Sequence, residues 1–357
     1  MPYFQSHQVA EKSVVVESKG FDREANRMPF IEWYEPAASN KTRTCILVVS
    51  GGGYETCCDA RRLQPAIDRF VRAGLTVANL TYRTPRPKGL PIYQSSWTDA
   101  QRAVRVIRAQ AGKRGLDPDR IGATGISAGA KTVLLLALSS RTSAYERVDT
   151  LDDLPCRLAF AIPQAPAYVL TDGATGANSD GGEGADIVPE LKFDADTVPL
   201  CCLQGGADVY SPLGSVRLYQ RLHKMGVPAE LHLFADRWHG FHGDANRAAG
   251  GTGWDHWCEL MLEFVSLFEP KVAIPVSRSI DVAHPELERR LAAFGVPSVL
   301  VCGCDEADRM EKLPELWAER RRHGVQSDLH LYARKINDDV RSMRVVEFAN
   351  HCQVDVR

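Results

Sequence analysis

Nothing in the 357 residues approaches the run of about 18 apolar side chains that a membrane span needs, so no membrane partner is expected. Excess charge of one sign is also missing. Lys and Arg number 43 against 45 Asp and Glu, a formal charge of -2, which gives no electrostatic reason for a nucleic-acid partner. Paired CxxC motifs with matching histidines are absent, and Cys302-Gly-Cys304 is isolated, so neither a metal nor another cofactor is expected. Ten cysteines do occur, but not as a disulfide framework. Cys57–Cys58 and Cys201–Cys202 are adjacent, and Cys45, Cys202 and Cys302 sit in apolar runs, which fits reduced, buried thiols. The N-terminus has no basic stretch followed by an apolar core, so no secretory leader is read there and a cytoplasmic location is expected.

What is there is a regular alternation. Strand runs are read at SVVVES (13–18), PFIEWYE (29–35), CILVVSG (45–51), LTVANLTYR (75–83), RIGATGI (120–126), LAFAIPQ (158–164), VPLCCLQG (198–205) and AELHLFA (229–235). Most are continuously apolar, as strands buried on both faces of a parallel sheet must be. Helical periodicity separates them. The clearest case is 97–115, with Ala100, Val104, Ile107 and Ala111 on one stripe and arginines opposite. Such alternation predicts an α/β fold with a doubly wound, mostly parallel sheet, the first two strands forming an antiparallel lead-in.

Gly125-Ile126-Ser127-Ala128-Gly129 falls between a predicted strand and a predicted helix. In that context Gly-x-Ser-x-Gly reads as a nucleophile elbow, in which small residues permit a tight, strained turn that lifts the serine oxygen above the sheet edge. The Ala128 N–H at the helix start then faces a developing oxyanion. Gly51-Gly52-Gly53 follow the strand CILVV, and consecutive glycines expose N–H groups to a substrate carbonyl; Gly52 and Gly53 are the candidate donors. A phosphate loop is disfavoured because no Gly-Lys-Ser/Thr follows.

The partners of such a serine come later in the chain as acid, then histidine. Asp208 lies just beyond VPLCCLQG, and His239 just beyond AELHLFA. His239 is the candidate general base and Asp208 the group that orients it. Asp236 is too near His239 in sequence to serve it from the far side, and His242 lies further from the strand. Tyr54 and Trp238 flank these positions as candidate pocket residues. Asp99 and Arg102, three apart on a helix, read as an ion pair, and Arg83 as a loop anchor. His7, His223, His232, His256 and His284 have no acidic or cysteine company at ligand spacing and read as ordinary residues.

With those residues placed, the chain resembles the acetylxylan-esterase-like carbohydrate esterases of the α/β-hydrolase superfamily. The resemblance rests on SGGGYE (50–55), LTYR (80–83), the stretch from Asp99 to Ala130, and GVPAELHLFADRWHGF (226–241), within about residues 30–268. It implies an α/β-hydrolase fold and hydrolysis of O-acetyl or other short acyl esters, on xylan-type or other carbohydrates, by the triad Ser127, Asp208 and His239. The substrate it implies is a small-molecule or oligosaccharide ester. Departures surround the substrate side: Ser50 precedes the glycines where the family has His or Pro, and Ala130-Lys131 stand where it has Gly and His. A general carboxylesterase resembling the hormone-sensitive-lipase group is the alternative, but Ser50 and Ile126 depart from that group's His and acidic residue. A non-enzymatic binding protein is disfavoured because no triad member is lost.

Two features stand outside that pattern. Residues 171–187 are glycine-rich and almost without apolar side chains, so they read as a surface excursion at the ligand edge, either a lid or a solvated insertion. Beyond a catalytic domain spanning 1–270, residues 271–357 contain a partial repeat of 188–235. Val198 over Val296 starts an ungapped match that ends with Ala235 over Ala333 and includes Gly205/Gly303, Leu218/Leu316, Gly226/Gly324 and two Leu-His-Leu triplets. Asp208 faces Glu306 and His239 faces Asn337, so the copy is no second active site. A lone βαβ unit buries too little to stand alone. It is expected to form a structural or dimerising appendage, packed on the hydrolase domain or giving a homo-oligomer.

Overall fold

A computed structural model of the chain describes residues 11–14, 28–57, 60–86, 88–171, 185–234, 239, 253–272, 298–302, 313–315, 317–318 and 327–332. The elements in chain order are β1 (Glu11–Val14), β2 (Phe30–Tyr34), β3 (Cys45–Val49), α1 (Ala60–Arg72), β4 (Thr76–Thr81), α2 (Gln94–Gln110), β5 (Ile121–Ile126), α3 (Ala128–Leu138), β6 (Phe160–Gln164), β7 (Leu200–Gly205), α4 (Leu213–Lys224), β8 (Ala229–Phe234), α5 (Gly253–Ser266), β9 (Ser298–Cys302) and β10 (Ser327–Leu331). They fall into two compact units. One comprises Met1–Tyr168, Val188–Leu200 and Gly240–Pro275; the other comprises Val169–Ile187, Cys201–His239 and Val276–Arg357.

In the first unit the strand order is β1-β2-β4-β3-β5-β6. β3 pairs in parallel with β4 and β5, and β5 with β6, while β1–β2 and β2–β4 are antiparallel, as the lead-in predicted. β3, β5 and β6 are buried along their whole length, which is why their sequences are apolar without alternation. Chain direction reverses at β3: the path steps from β3 to β4, then back across β3 to β5. Right-handed crossovers place α1 on one face of this sheet and α2 and α3 on the other. The contacts of α1 with α5, and of α2 with α3, agree with that division. Between β3 and β5 the following loops therefore part to opposite faces, leaving a crevice at the carboxyl ends, where α/β sheets hold ligands.

The stripe Ala100, Val104, Ile107 and Ala111 on α2 is buried as expected, but its arginines are not out in solvent. Arg102 and Arg105 are also buried. The segment 142–156 folds over them. Arg102 pairs with Asp149 and Asp152, and Arg105 donates to the Leu154 carbonyl at 2.9 Å. The predicted Asp99–Arg102 pair is thereby corrected. Asp99 pairs instead with Arg83 at 2.6 Å, with both side chains nearly inaccessible. Partners 16 and 47 residues away outcompete a neighbour one helical turn along, because the tertiary partners are desolvated with them.

The second unit has strand order β7-β8-β10-β9, with β8–β10 antiparallel and β9–β10 parallel. α4 packs on β8, and its Leu218, Tyr219 and Leu222 are buried. The glycine-rich excursion is closed at its neck by a Leu170–Ile187 bridge and a 2.8 Å bond from the Thr171 N–H to the Asp186 carbonyl. Residues 172–184 lie outside the described residues. The mostly parallel, helix-covered sheet is the α/β architecture expected from the sequence.

Candidate active site

Ser127 sits where β5 passes into α3, with φ 57° and ψ −121°. A non-glycine residue held there is strained by about 1–3 kcal/mol, and the surrounding structure enforces it. The reason for the flanking glycines is steric. A Cβ on Gly129 would stand 2.2 Å from the Val49 carbonyl oxygen and 2.4 Å from that of Ser50. One on Gly125 would meet the Gly129 carbonyl at 2.6 Å. The elbow is closed by bonds from the Ser127 N–H to the Gln164 carbonyl at 3.0 Å and from the Lys131 N–H to the Ser127 carbonyl at 3.2 Å. Ala128 is the first residue of α3, so its N–H has no acceptor within the helix.

The glycine loop after β3 packs against this turn, since a Cβ on Gly51 would lie 3.1 Å from that of Ser127. Gly52 has φ 125° and Gly53 φ 63°. The carbonyl of Thr56 passes so close to Gly52 that no side chain fits. Motif LTYR has a purpose here. The Tyr82 hydroxyl donates to the Ser50 carbonyl at 3.1 Å, and the neighbouring Arg83 is fastened by Asp99. Tyr54 is buried, 1% exposed, and stacks at 5.9 Å on the half-buried Tyr168. The Tyr168 hydroxyl lies over the loop, 3.6 Å from a Cβ built on Gly53, a position that no local signal in the sequence marks.

One turn beyond Ser127 is Lys131, fully buried and paired with Glu190 at 2.9 Å. Burial pushes its ammonium down to about 8, against the opposing pull of Glu190. The Ser139 hydroxyl holds the Glu190 carbonyl as well, so 188–200 is tied to α3 from two sides.

The acid and base are together on the second unit. Asp208, just past β7, is 4% exposed. Its carboxylate takes bonds from the Tyr210 N–H at 2.9 Å, from Gln204 Nε2 at 3.2 Å, and from His239 Nδ1 at 2.9 and 3.0 Å. Gln204 is itself held by the Ser215 hydroxyl at 2.6 Å and donates to the Tyr210 carbonyl at 2.7 Å. The Tyr210 ring lies 4.8 Å from the imidazole. With Nδ1–H given to Asp208, Nε2 carries the ring's lone pair, the tautomer a general base requires. Gln204 and Tyr210 escaped the sequence reading; their nearness to Asp208 in sequence is the signal that could have found them. Trp238, Asp236 and His242 lie outside the described residues.

Among the described residues, Cys201, Glu230 and His232 have ligand atoms within 4.8 Å of one another, all buried. Reading His232 as a residue without acidic or cysteine company is thus corrected. Glu230 shares its strand face two positions away, and Cys201 arrives from another strand. Both ring nitrogens are already engaged, Nε2 at 3.3 Å from Glu230 and Nδ1 at 3.1 Å from His330 Nδ1. These contacts join Glu230, His232 and His330 in a row, with Cys201 beside them. No described helix is long and apolar enough to cross a membrane.

Residues 31–156 match the family model described as BD-FAE, in agreement with the resemblance seen in the sequence. Endo-1,4-beta-xylanase B of Butyrivibrio fibrisolvens is 27% identical over 210 residues, which cover 56% of this chain and 32% of that protein. The chain thus spans about a third of that relative's length. Among solved structures, the apo form of Thermogutta terrifontis esterase 2 is similar at TM-score 0.59 and 20% identity, covering 76% of this chain and 99% of that one. An acetyl ester-xyloside bifunctional hydrolase from Caldicellulosiruptor lactoaceticus is similar at TM-score 0.60 and 23% identity, covering 74% and 98%.

Proposed function

We propose that the protein is a serine hydrolase of carboxylic esters, with O-acetyl or other short acyl groups on xylan-type carbohydrates as its substrate class. The observation that carries this reading is the strained Ser127 backbone between two glycines that admit no side chain. In the proposed reaction Ser127 Oγ attacks the ester carbonyl while His239 Nε2 takes its proton. The N–H groups of Ala128, Gly52 and Gly53 receive the oxyanion, each such donor contributing about 3–4 kcal/mol. Collapse leaves the acyl group on Ser127 Oγ and expels the sugar oxygen, which takes the proton from His239 and departs as an alcohol. Water, giving its proton to His239, then attacks the acyl-enzyme and releases the acid as Ser127 Oγ takes the proton back. Asp208 keeps the imidazole in the working tautomer. Tyr168, stacked on the buried Tyr54, forms a wall beside the glycine loop, and Trp238 remains a second candidate for the pocket. The proposed substrate class is supported by the names of similar proteins, an acetyl ester-xyloside bifunctional hydrolase and an endo-1,4-beta-xylanase.

The test is covalent. A fluorophosphonate should add one label per chain, and peptide mass spectrometry should place it on Ser127. Ser127→Ala should lose both label and turnover of acetyl esters while keeping its far-UV spectrum. Unchanged labelling or turnover in that variant refutes the assignment. On a series of acyl esters, kcat/KM should fall from acetyl to butyryl to octanoyl, each excess methylene costing about 1–3 kcal/mol. A rise along the series moves the reading to a general carboxylesterase.

A further inference from the structure

The C-terminal strands reproduce, element by element, the segment with which they pair. A shift of 98 residues, the separation of His232 and His330, carries β7 onto β9 and β8 onto β10. The same shift carries α4 onto 311–322, where the described residues 313–315 and 317–318 are helical. Buried Trp317 then falls on buried Tyr219.

The pairing between the copies is symmetric. β8 and β10 run antiparallel, with His232 opposite His330, its own counterpart. Leu231 faces Leu331, the counterpart of Leu233, and Leu233 faces Leu329, the counterpart of Leu231. Side chains obey the same twofold relation. His232 meets Tyr332 edge-on at 4.8 Å and 70°, and His330 meets Phe234 edge-on at 5.4 Å and 80°. Tyr332 is the counterpart of Phe234. Two unrelated strands meeting at an edge can adopt parallel or antiparallel pairing in any of several registers. Only one of these centres a strand on its own repeat, and it is the geometry by which identical subunits join.

We propose that β8 is a self-complementary edge, built to pair with β8 of a second copy of this chain, and that β9 and β10 hold the place of that second copy within one polypeptide. The edge needs an occupant. Every residue of β8 is buried, Leu231 and Leu233 among them, and a strand left with open N–H and C=O groups invites pairing. The intact protein is then closed at this edge and does not dimerise through it. The repeat serves as an internal partner, which also explains why it carries strand, helix and strand but no nucleophile.

The test uses the full chain. His232→Cys combined with His330→Cys should form an intrachain disulfide on mild oxidation, since directly opposite Cα atoms of an antiparallel pair lie about 4.5–5.5 Å apart, a span a disulfide bridges. His232→Cys alone should stay monomeric and give no cross-linked species. Leu329→Asp with Leu331→Asp should then release β10. Added to His232→Cys, it should double the molar mass in light scattering, with the introduced thiol joined to its equivalent in a second molecule. A folded, released variant that stays monomeric overturns the proposal. So does failure of the double-cysteine chain to close, or cross-linking by His232→Cys alone. If the released variant does not fold, the two cysteine experiments still decide.

Discussion

Two histidine–carboxylate pairs lie on the second unit, built from the same groups in opposite surroundings. Asp208 holds His239 at 2.9 Å on loops beyond the strand ends, and the imidazole keeps 22% exposure while the carboxylate has none. Glu230 holds His232 at 3.3 Å within a strand, and neither side chain exceeds 2%. A general base must take a proton from one reacting group and pass it to another, so one edge of its ring has to be reachable while the other is pinned. The strand pair has both edges pinned, Nε2 by Glu230 and Nδ1 by His330. Its chemistry is turned inward, toward cohesion of the β8–β10 seam. Reach, rather than residue type, separates the proposed catalytic pair from the buried one.

The largest effect is expected at the exposed pair. His239→Ala should lower kcat by about four to six orders of magnitude with little change in Tm, because the members of the proposed triad act as a unit. Asp208→Asn should cost about four orders, through the wrong imidazole tautomer. Turnover within tenfold of wild type in either variant, an outcome about a thousandfold away from expectation, would remove the pair from the mechanism.

The buried pair should respond in the opposite way. Glu230→Ala leaves His232 without its carboxylate and should reduce unfolding free energy by about 3–5 kcal/mol, with kcat/KM within about twofold of wild type. Urea denaturation and steady-state kinetics on the same preparation separate the two effects. A large kcat loss without destabilisation would give the buried pair a part in catalysis and leave reach without its meaning.

The smallest effect extends the same rule to the first unit. Burial lowers Lys131 from its ordinary 10.5 to about 8. Below that value the lysine is charged in both folded and unfolded chains. Between about 8 and 10.5 the unfolded chain binds the extra proton, so this group makes stability rise with pH by about 1.4 kcal/mol per unit. Lys131→Met removes that slope. The stability difference between wild type and Lys131→Met, followed from pH 7 to 10.5 in urea, should shift in favour of wild type only above about pH 8. A flat difference means that Glu190 holds the charge throughout.

Much of the architecture was legible in the residues themselves. All eight predicted strands overlap observed ones, with described ends differing by up to two residues, because strands buried on both faces, such as β3, β5 and β6, are apolar throughout. Asp208 and His239 were readable as residues just past such ends. What escaped was every choice among distant partners. Arg102 had a local candidate in Asp99, yet it pairs with a loop 47 residues on. His232 showed no companion at ligand spacing, since Glu230 reaches it through strand alternation and His330 from 98 residues away.

The turn at Ser127 is the part most fully written in the sequence. Gly125 is required by the Gly129 carbonyl within the turn itself, although Gly129 is also pressed by the Val49 and Ser50 carbonyls at the end of β3. The repeat is legible to the same degree, as an ungapped match. That the second copy folds back on the first about a twofold axis, and that Arg83 rather than Arg102 answers Asp99, was decided only in three dimensions. Local sterics are written within a few residues, whereas burial, which sets the worth of a charge or a strand edge, depends on what the rest of the chain brings beside it.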